Sequence, residues 1–192
     1  MLKAELRKKY MQKRKALSPD EAFLLSGKIF ENFQKYFQPM QAEKIHIFIP
    51  ILAKKEIDTQ IFINYFLKQN IRVFVPKIVA NELISIEIFA DTLFETGSWG
   101  ISEPVSNTDS EELYFDYIIT PLLYCDKKGN RVGYGKGFYD GLFANVSKDA
   151  KKIGVNYFNP DENIDDVWEY DIPLDYLVTP EKILSFLTSG LE

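Results

Sequence analysis

Ile45-His-Ile-Phe-Ile49, then Asp58-Thr-Gln-Ile-Phe-Ile-Asn-Tyr-Phe-Leu-Lys-Gln69, then Ile71-Arg-Val-Phe-Val75 is the stretch that decides the fold class. The outer pieces are short and apolar, and each runs into a proline, Pro50 or Pro76, that is expected to end it. The middle piece carries Ile61, Phe62, Tyr65, Phe66 and Leu67 at spacings suited to a helix packed on a sheet, with Asp58 or Thr59 as its cap. A strand–helix–strand unit implies two parallel strands joined by a right-handed crossover. Residues 50–56, with Lys54, Lys55 and Glu56, then lie at the carboxyl end of a strand, where open α/β sheets bind their ligands. His46, the one histidine, sits within an alternating strand and reads as structural. No Ser/His or Cys/His nucleophilic arrangement is in view.

Upstream, residues 2–16 form a helix dense in cations. Lys3, Arg7 and Arg14 fall near one face, and Leu2, Leu6, Tyr10 and Leu17 make an apolar stripe. On the residues alone this reads first as a solvated charge face, the alternative being an arm whose cations reach an anionic ligand. Ser18-Pro-Asp-Glu21 opens a second helix, with Ser18 as N-cap and Glu21 closing a capping box. It runs to about Phe37, with Phe23, Leu24, Ile29, Phe30, Phe33 and Phe37 as its expected buried side.

Downstream, residues 83–89 read as a strand. A polar, acid-rich stretch from Phe94 to Asp116 follows and holds Trp99 between glycines, as a core plug or a stacking wall. Tyr117-Ile-Ile-Thr120 is a buried strand. Next comes Asp126-Lys-Lys-Gly-Asn-Arg-Val-Gly-Tyr-Gly-Lys-Gly-Phe-Tyr-Asp140, ahead of a helix over 138–146. Gly-rich backbone between a strand and a helix suits a phosphate. Arg131, Lys136 and Asp140 add two cations and a carboxylate suited to Mg²⁺. The spacing matches neither a Walker A loop nor the dinucleotide fingerprint. Glycines also make ordinary turns, so both readings stand at this point. Residues 152–158 and 175–179 are further strands, an acidic loop lies between them, and Thr179-Pro180 is expected to open a C-terminal helix to about Leu187.

The 192 residues suit one domain, and a 46% hydrophobic fraction is ample for a core. A net charge of -5 argues against a general nucleic-acid binder, while leaving room for a basic patch that takes one anionic small molecule. The single cysteine, Cys125, excludes an intrachain disulfide and a cysteine-cluster metal site. Met1 to Arg14 is charged and lacks the apolar core of a secretory leader, and no run is long enough to span a bilayer. A cytoplasmic monomer with no membrane partner is expected.

Several pieces in order resemble the 5-formyltetrahydrofolate cyclo-ligase (methenyltetrahydrofolate synthetase) family. They are Lys3-x-x-Leu6-Arg7, Glu56-Ile-Asp-Thr59, Gly100-Ile-x-Glu-Pro104, Asp116-Tyr-Ile-Ile-Thr-Pro121, Gly129 through Asp140, then Asp171 and Asp175-Tyr-Leu-Val-Thr179. The resemblance implies a single domain over 1–192. Its fold is an α/β three-layer sandwich around a central mixed, mostly parallel sheet, Rossmann-like, with an N-terminal basic helix. It implies ATP- and Mg²⁺-dependent cyclisation of 5-formyltetrahydrofolate to 5,10-methenyltetrahydrofolate, with ADP and phosphate released through a phosphorylated formyl intermediate. A nucleotide- or folate-binding module without turnover, or a small-molecule kinase, is the alternative class.

By the same resemblance ATP meets Lys3, Ala4, Glu5, Leu6 and Arg7, and also Arg131, Val132, Gly133, Tyr134, Gly135, Lys136, Gly137, Phe138 and Tyr139. The folate is expected to meet Ile49 and Glu56 and to share Tyr134, Gly135, Lys136, Gly137 and Phe138, and the loop aromatic Trp99 is a candidate for packing on its ring. Asp140, and by the resemblance Asp171, are expected to hold Mg²⁺; Lys136, set between Gly135 and Gly137 so that its ammonium reaches the phosphates, is the expected principal catalytic cation, with Arg131 as the second. Phe138 departs from the family, which usually has the first of two tyrosines there, and the loop from Ile49 to Glu56 is slightly longer than usual.

Overall fold

The computed structural model describes residues 1–97 and 102–187. Two helices lead, α1 (Lys3–Ala16) and α2 (Pro19–Phe37). Ser18 Oγ accepts from the Glu21 amide at 3.1 Å and the Glu21 carboxylate accepts from the Ser18 amide at 2.7 Å, which is the reciprocal cap expected. Then come β1 (Lys44–Ile47), α3 (Gln60–Lys68), β2 (Arg72–Val79), β3 (Glu82–Ile88), β4 (Phe94–Thr96) and β5 (Ser102–Pro104). The remainder is β6 (Tyr117–Pro121), β7 (Tyr124–Cys125), β8 (Arg131–Val132), α4 (Phe138–Asn145), β9 (Lys151–Val155), β10 (Tyr176–Val178) and β11 (Ile183–Ser185).

Seven strands form one sheet in the order β11-β10-β9-β6-β1-β2-β3. Each neighbouring pair from β10 to β2 is parallel, and the edge strands β11 and β3 pair antiparallel. The unit at 45–75 is therefore β1–α3–β2 with parallel strands, as its apolar pattern predicts. Alternation sorts the side chains between two faces. Ile45, Ile47, Val73, Val75, Ile119 and Ile153 meet Phe33 of α2 with Phe62 and Phe66 of α3. Phe74, Ile118 and Leu177 meet Phe143 and Val146, in and just after α4. The result is a helix–sheet–helix sandwich with a mixed, mostly parallel sheet. Burying each such ring contributes about 2–3 kcal/mol. His46 faces the α4 side, fully buried, and both its ring nitrogens lack a partner among the described residues. Burial pushes its pKa down to about 3, so it is a neutral core residue.

Several expectations are corrected. Pro76 does not end β2, which continues to Val79. The β1 register runs from Arg72 to Phe74 only, so Pro76 lies where β2 has β3 alone as a neighbour and a missing amide donor costs little. Phe23 and Leu24 are 61% and 63% exposed. The buried stripe of α2 is Ser26, Ile29 and Phe33; Leu24 falls on the opposite side of the helix and Phe23 at the border. Among the described residues no helix follows Thr179-Pro180. That segment turns instead into β11, with Thr179 Oγ1 accepting from the Lys182 amide at 3.1 Å and donating to the Lys182 carbonyl at 2.9 Å. Among the described residues no helix is long and apolar enough to cross a membrane.

Candidate active site

Several of the residues singled out by sequence are brought together between α1, the exit of β1 and the segment after β8. After β1 the chain passes Ile49, half-buried against the α2–α3 core, and a 3₁₀ turn at Leu52–Lys54. It then buries Glu56. Glu56 Oε2 accepts from the Ile51 amide at 2.8 Å, and Oε1 accepts from the Tyr134 hydroxyl at 2.6 Å. Tyr134 belongs to the glycine loop, so that loop closes directly onto the exit of β1. Its hydroxyl also accepts from Arg14 Nη1 at 3.3 Å, and Lys54 Nζ stands 4.8 Å from its ring centroid. Burial and then Glu56 push the Tyr134 pKa up, so the hydroxyl stays protonated and donates.

The glycine loop is anchored by the β7–β8 hairpin. Asp126 builds the turn between these strands: Oδ1 accepts from the Lys128 amide at 2.9 Å and the Asn130 amide at 3.0 Å. Gly129 is required there, with φ +84° and the Leu174 carbonyl 2.7 Å from where a Cβ would sit. The hairpin pairs Cys125, fully buried, opposite Arg131. Arg131 Nη2 holds Asp140 Oδ1 at 2.6 Å, Nη1 donates to the Ile172 carbonyl, and the guanidinium lies 4.5 Å from the Phe143 ring centroid. Burial draws its pKa down while Asp140 and Asp171 draw it back up. Past Val132, a core residue, Gly133 offers its carbonyl, and Gly135 and Gly137 take φ of +85° and +71°. Lys136 between them is exposed and makes no hydrogen bond or ion pair among the described residues.

Helix α1 lies across this hairpin. Leu6 and Tyr10 are buried with Leu123, Tyr124 and Val132, and Tyr10 stacks on Tyr124 at 4.2 Å. Tyr10 also donates to Glu162 Oε1 at 2.8 Å. That packing aims the cations of α1 at the loop. Arg7 Nε donates to the Gly133 carbonyl at 2.9 Å, and its Nη2 lies 3.3 Å from the Cβ position of Gly135. Lys3 Nζ is ion-paired with Asp171. Of the other motif residues in α1, the Leu6 side chain is spent on the core, Ala4 is exposed, and Glu5 caps its own helix by accepting from the Leu2 amide at 3.0 Å. The solvated-face reading of this helix therefore fails for Lys3, Arg7 and Arg14.

Arg14 is a residue that the sequence reading did not place in the site. It is buried and donates to the Leu122 carbonyl as well as to Tyr134. The available signal was its position, two helical turns after Arg7 on the same side. Trp99 lies outside the described residues. Between α1, Ala53–Lys54 and Tyr134 the structure leaves a cleft of about 60 Å³. A larger, open concavity of about 460 Å³ lies at the other end of the hairpin, beside Asp126 and Asn163. Asp126 is taken up by its own turn, and the glycine loop is the candidate site.

Asp140 is ion-paired with Arg131 and Asp171 with Lys3. Asp140 uses Oδ1 for its two hydrogen bonds, to Arg131 and the Ile172 amide; Asp171 uses Oδ2 for Lys3 and the Trp168 amide. The second oxygen of each carboxylate takes no hydrogen bond among the described residues. No group of three or more His, Cys, Asp or Glu that could hold a metal occurs among those residues.

Fold and candidate site together describe an α/β protein in which clustered cations, two carboxylates and a glycine loop are brought together. The profile of the 5-formyltetrahydrofolate cyclo-ligase family matches residues 1–180, and the chain belongs to that family of enzymes. The 5-formyltetrahydrofolate cyclo-ligase of Mycoplasma pneumoniae is 33% identical over 184 residues, covering 94% of this chain and 100% of the relative. That of Escherichia coli is 28% identical over 181 residues, 90% of this chain and 97% of its own. The solved 5,10-methenyltetrahydrofolate synthetase of Aquifex aeolicus superposes with a TM-score of 0.84 at 33% identity, covering 100% of this chain and 97% of that one.

Proposed function

We propose that the chain cyclises 5-formyltetrahydrofolate to 5,10-methenyltetrahydrofolate, consuming ATP and releasing ADP and phosphate. One observation carries this reading. A single loop joins the residues proposed for the two substrates: Gly133 takes Arg7 of the cationic helix at 2.9 Å, and Tyr134 takes Glu56 at 2.6 Å. Two ligands bound on those two sides would meet on that loop.

The chemistry needs such a meeting. A formamide oxygen is a poor leaving group. Attack of that oxygen on the γ-phosphorus of ATP expels ADP and leaves an O-phosphorylated iminium carbon. N10 of the folate adds to this carbon and closes the ring. The N10 proton leaves with the departing phosphate, giving the methenyl cation. No protein nucleophile is required, which agrees with a neutral core His46 and a buried Cys125. The work left to the protein is alignment and charge stabilisation. Lys3 and Arg7 would bind phosphates from α1. Lys136 would follow the transferred phosphoryl group, and Arg131 would fix the loop through Asp140. Glu56 would accept hydrogen bonds from the pterin N–H groups once Tyr134 yields its place. Mg²⁺ normally takes one or two carboxylates plus phosphate oxygens and water. The free oxygens of Asp140 and Asp171 suit that shell, and the ion would supply charge neutralisation between the phosphates.

The test is to mix protein, Mg-ATP and 5-formyltetrahydrofolate and follow both the near-ultraviolet absorbance of the methenyl product and ADP. Product and ADP should appear together and require Mg²⁺. Glu56→Gln should raise the folate KM about tenfold or more, leaving that for ATP within about twofold. Ligand binding with neither product nor ADP would instead mark a binding module. ADP with a lasting phosphorylated product would mark a kinase.

A further inference from the structure

Arg14 is 4% exposed and is ion-paired with no carboxylate among the described residues. Its Nη2 donates to the Leu122 carbonyl, its Nη1 donates to the Tyr134 hydroxyl at 3.3 Å, and its enclosed Nε meets no acceptor there. Glu56, 5% exposed, is ion-paired with no cation among the same residues. A charge taken out of water without an opposite charge is costly. One hydroxyl stands between the two: Tyr134 accepts from Arg14 and donates to Glu56 at 2.6 Å.

The two ends of this relay are held without Tyr134. The Leu122 carbonyl keeps the guanidinium. The Ile51 amide keeps Glu56 Oε2 at 2.8 Å, and the Tyr157 hydroxyl donates to the Glu56 carbonyl at 3.0 Å. The middle member belongs to the glycine loop, and with Arg14, Ala53 and Lys54 it lines the cleft of about 60 Å³. The proton of a hydroxyl that accepts from a guanidinium points away from it. Tyr134 therefore presents a donor to whatever stands beside Glu56.

The edge of a pterin carries the matching pattern. Its 2-amino group and N3–H are two donors, and the 4-oxo oxygen next to them is an acceptor. Glu56 can accept from both donors, since a carboxylate oxygen takes more than one hydrogen bond. The 4-oxo oxygen then falls beside the carboxylate, where the donor held by Arg14 stands. We propose that Arg14 positions the Tyr134 hydroxyl to donate to the 4-oxo group of the folate, so that Glu56 and Tyr134 together select a 2-amino-4-oxo edge over a 2,4-diamino one. This rests on the folate-binding role proposed for Glu56 and adds to it the determinant of ring specificity. Arg14 is a positioning residue that acts through Tyr134. An amino group at C4 would set donor against donor, and a buried donor without an acceptor is costly.

The test measures by calorimetry, with ADP and Mg²⁺ present, the affinity of the whole protein for 5-formyltetrahydrofolate and for its 4-amino analogue. Wild type, Tyr134→Phe, Arg14→Met and Arg14→Lys are compared. The wild type should prefer the 4-oxo ligand. Tyr134→Phe should cut the ratio of the two affinities about tenfold or more. The ratio cancels any gain that both ligands draw from a Glu56 no longer covered by Tyr134. Arg14→Met should cut it comparably, and Arg14→Lys, which keeps a donating cation, should restore part. A merely structural arginine predicts that both ligands weaken together at constant ratio. That outcome in Arg14→Met, or an unchanged ratio in Tyr134→Phe, overturns the proposal while the cyclisation reading stands. A wild type that prefers the 4-amino ligand overturns it as well. If Arg14→Met does not fold, Tyr134→Phe and Arg14→Lys decide by the same ratio. A wild type that binds neither ligand overturns the folate reading itself.

Discussion

Lys136 stands out among the candidate site residues because no side chain or carbonyl among the described residues holds it. Arg7, Arg14 and Arg131 are tied to carbonyls or carboxylates, and Lys3 to Asp171. Lys136, exposed between two glycines of positive φ, has no such partner among the described residues. Its removal should therefore cost catalysis and not the fold. Lys136→Ala is expected to lower kcat/KM by about 2–4 kcal/mol in equivalent free energy, with Tm unchanged. Lys136→Arg should restore only part, since a planar fork replaces a compact point charge poorly. Near-normal turnover of Lys136→Ala, or a variant that unfolds, counts against the role. At this scale the sequence disclosed which residue types the chemistry needs, but not who partners whom. Tyr134 and Glu56 are 78 positions apart, and Arg14 and Tyr134 are 120 apart. Such pairs are set by the sheet order, which no local pattern carries.

The glycine loop and its hairpin act as one element, and its glycines are not equivalent. Gly133 has an ordinary φ and nothing within 4 Å of its Cβ position, whereas Gly135 has φ +85° and Arg7 Nη2 at 3.3 Å. Gly133→Ala should be nearly silent in urea unfolding. Gly135→Ala should cost about 1–2 kcal/mol of stability, because an L side chain resists that backbone region. It should also weaken ATP binding by displacing Arg7, which calorimetry would detect. Equal behaviour of the two variants would mean that the loop relaxes freely. Elements with their own local signature were legible: the Ser18–Glu21 cap, the strand–helix–strand unit and the strand–glycine–helix passage. The chain beyond Thr179 was not. Thr179-Pro180 has the chemistry of a helix start, yet β10 offers an edge and residues 183–185 pair with it. Tertiary pairing overrides local propensity in so short a segment.

For the whole molecule, His46 ties folding to pH. Unfolded, it titrates near 6.5; buried in the sheet, it is pushed down to about 3. Between those values the unfolded chain takes up a proton that the folded chain refuses. Stability is therefore lost as pH falls through that window, by at most about 1.4 kcal/mol per unit. Urea unfolding of the wild type should show a loss of about 2 kcal/mol between pH 7 and pH 5. His46→Phe should remove most of that difference; if the slope persists, other groups cause it. Cys125 has a consequence of another kind. Burial raises its pKa, and it is walled into the hairpin whose second strand begins with Arg131 and whose surface carries α1. An alkylating reagent reaches the sulfur only after the hairpin parts, and parting it scatters Arg131 and the bed of α1 at once. The lone thiol is thus a built-in event counter: each labelled chain records one parting of the hairpin strands from each other and from α1, and a ligand that clamps them together slows the count.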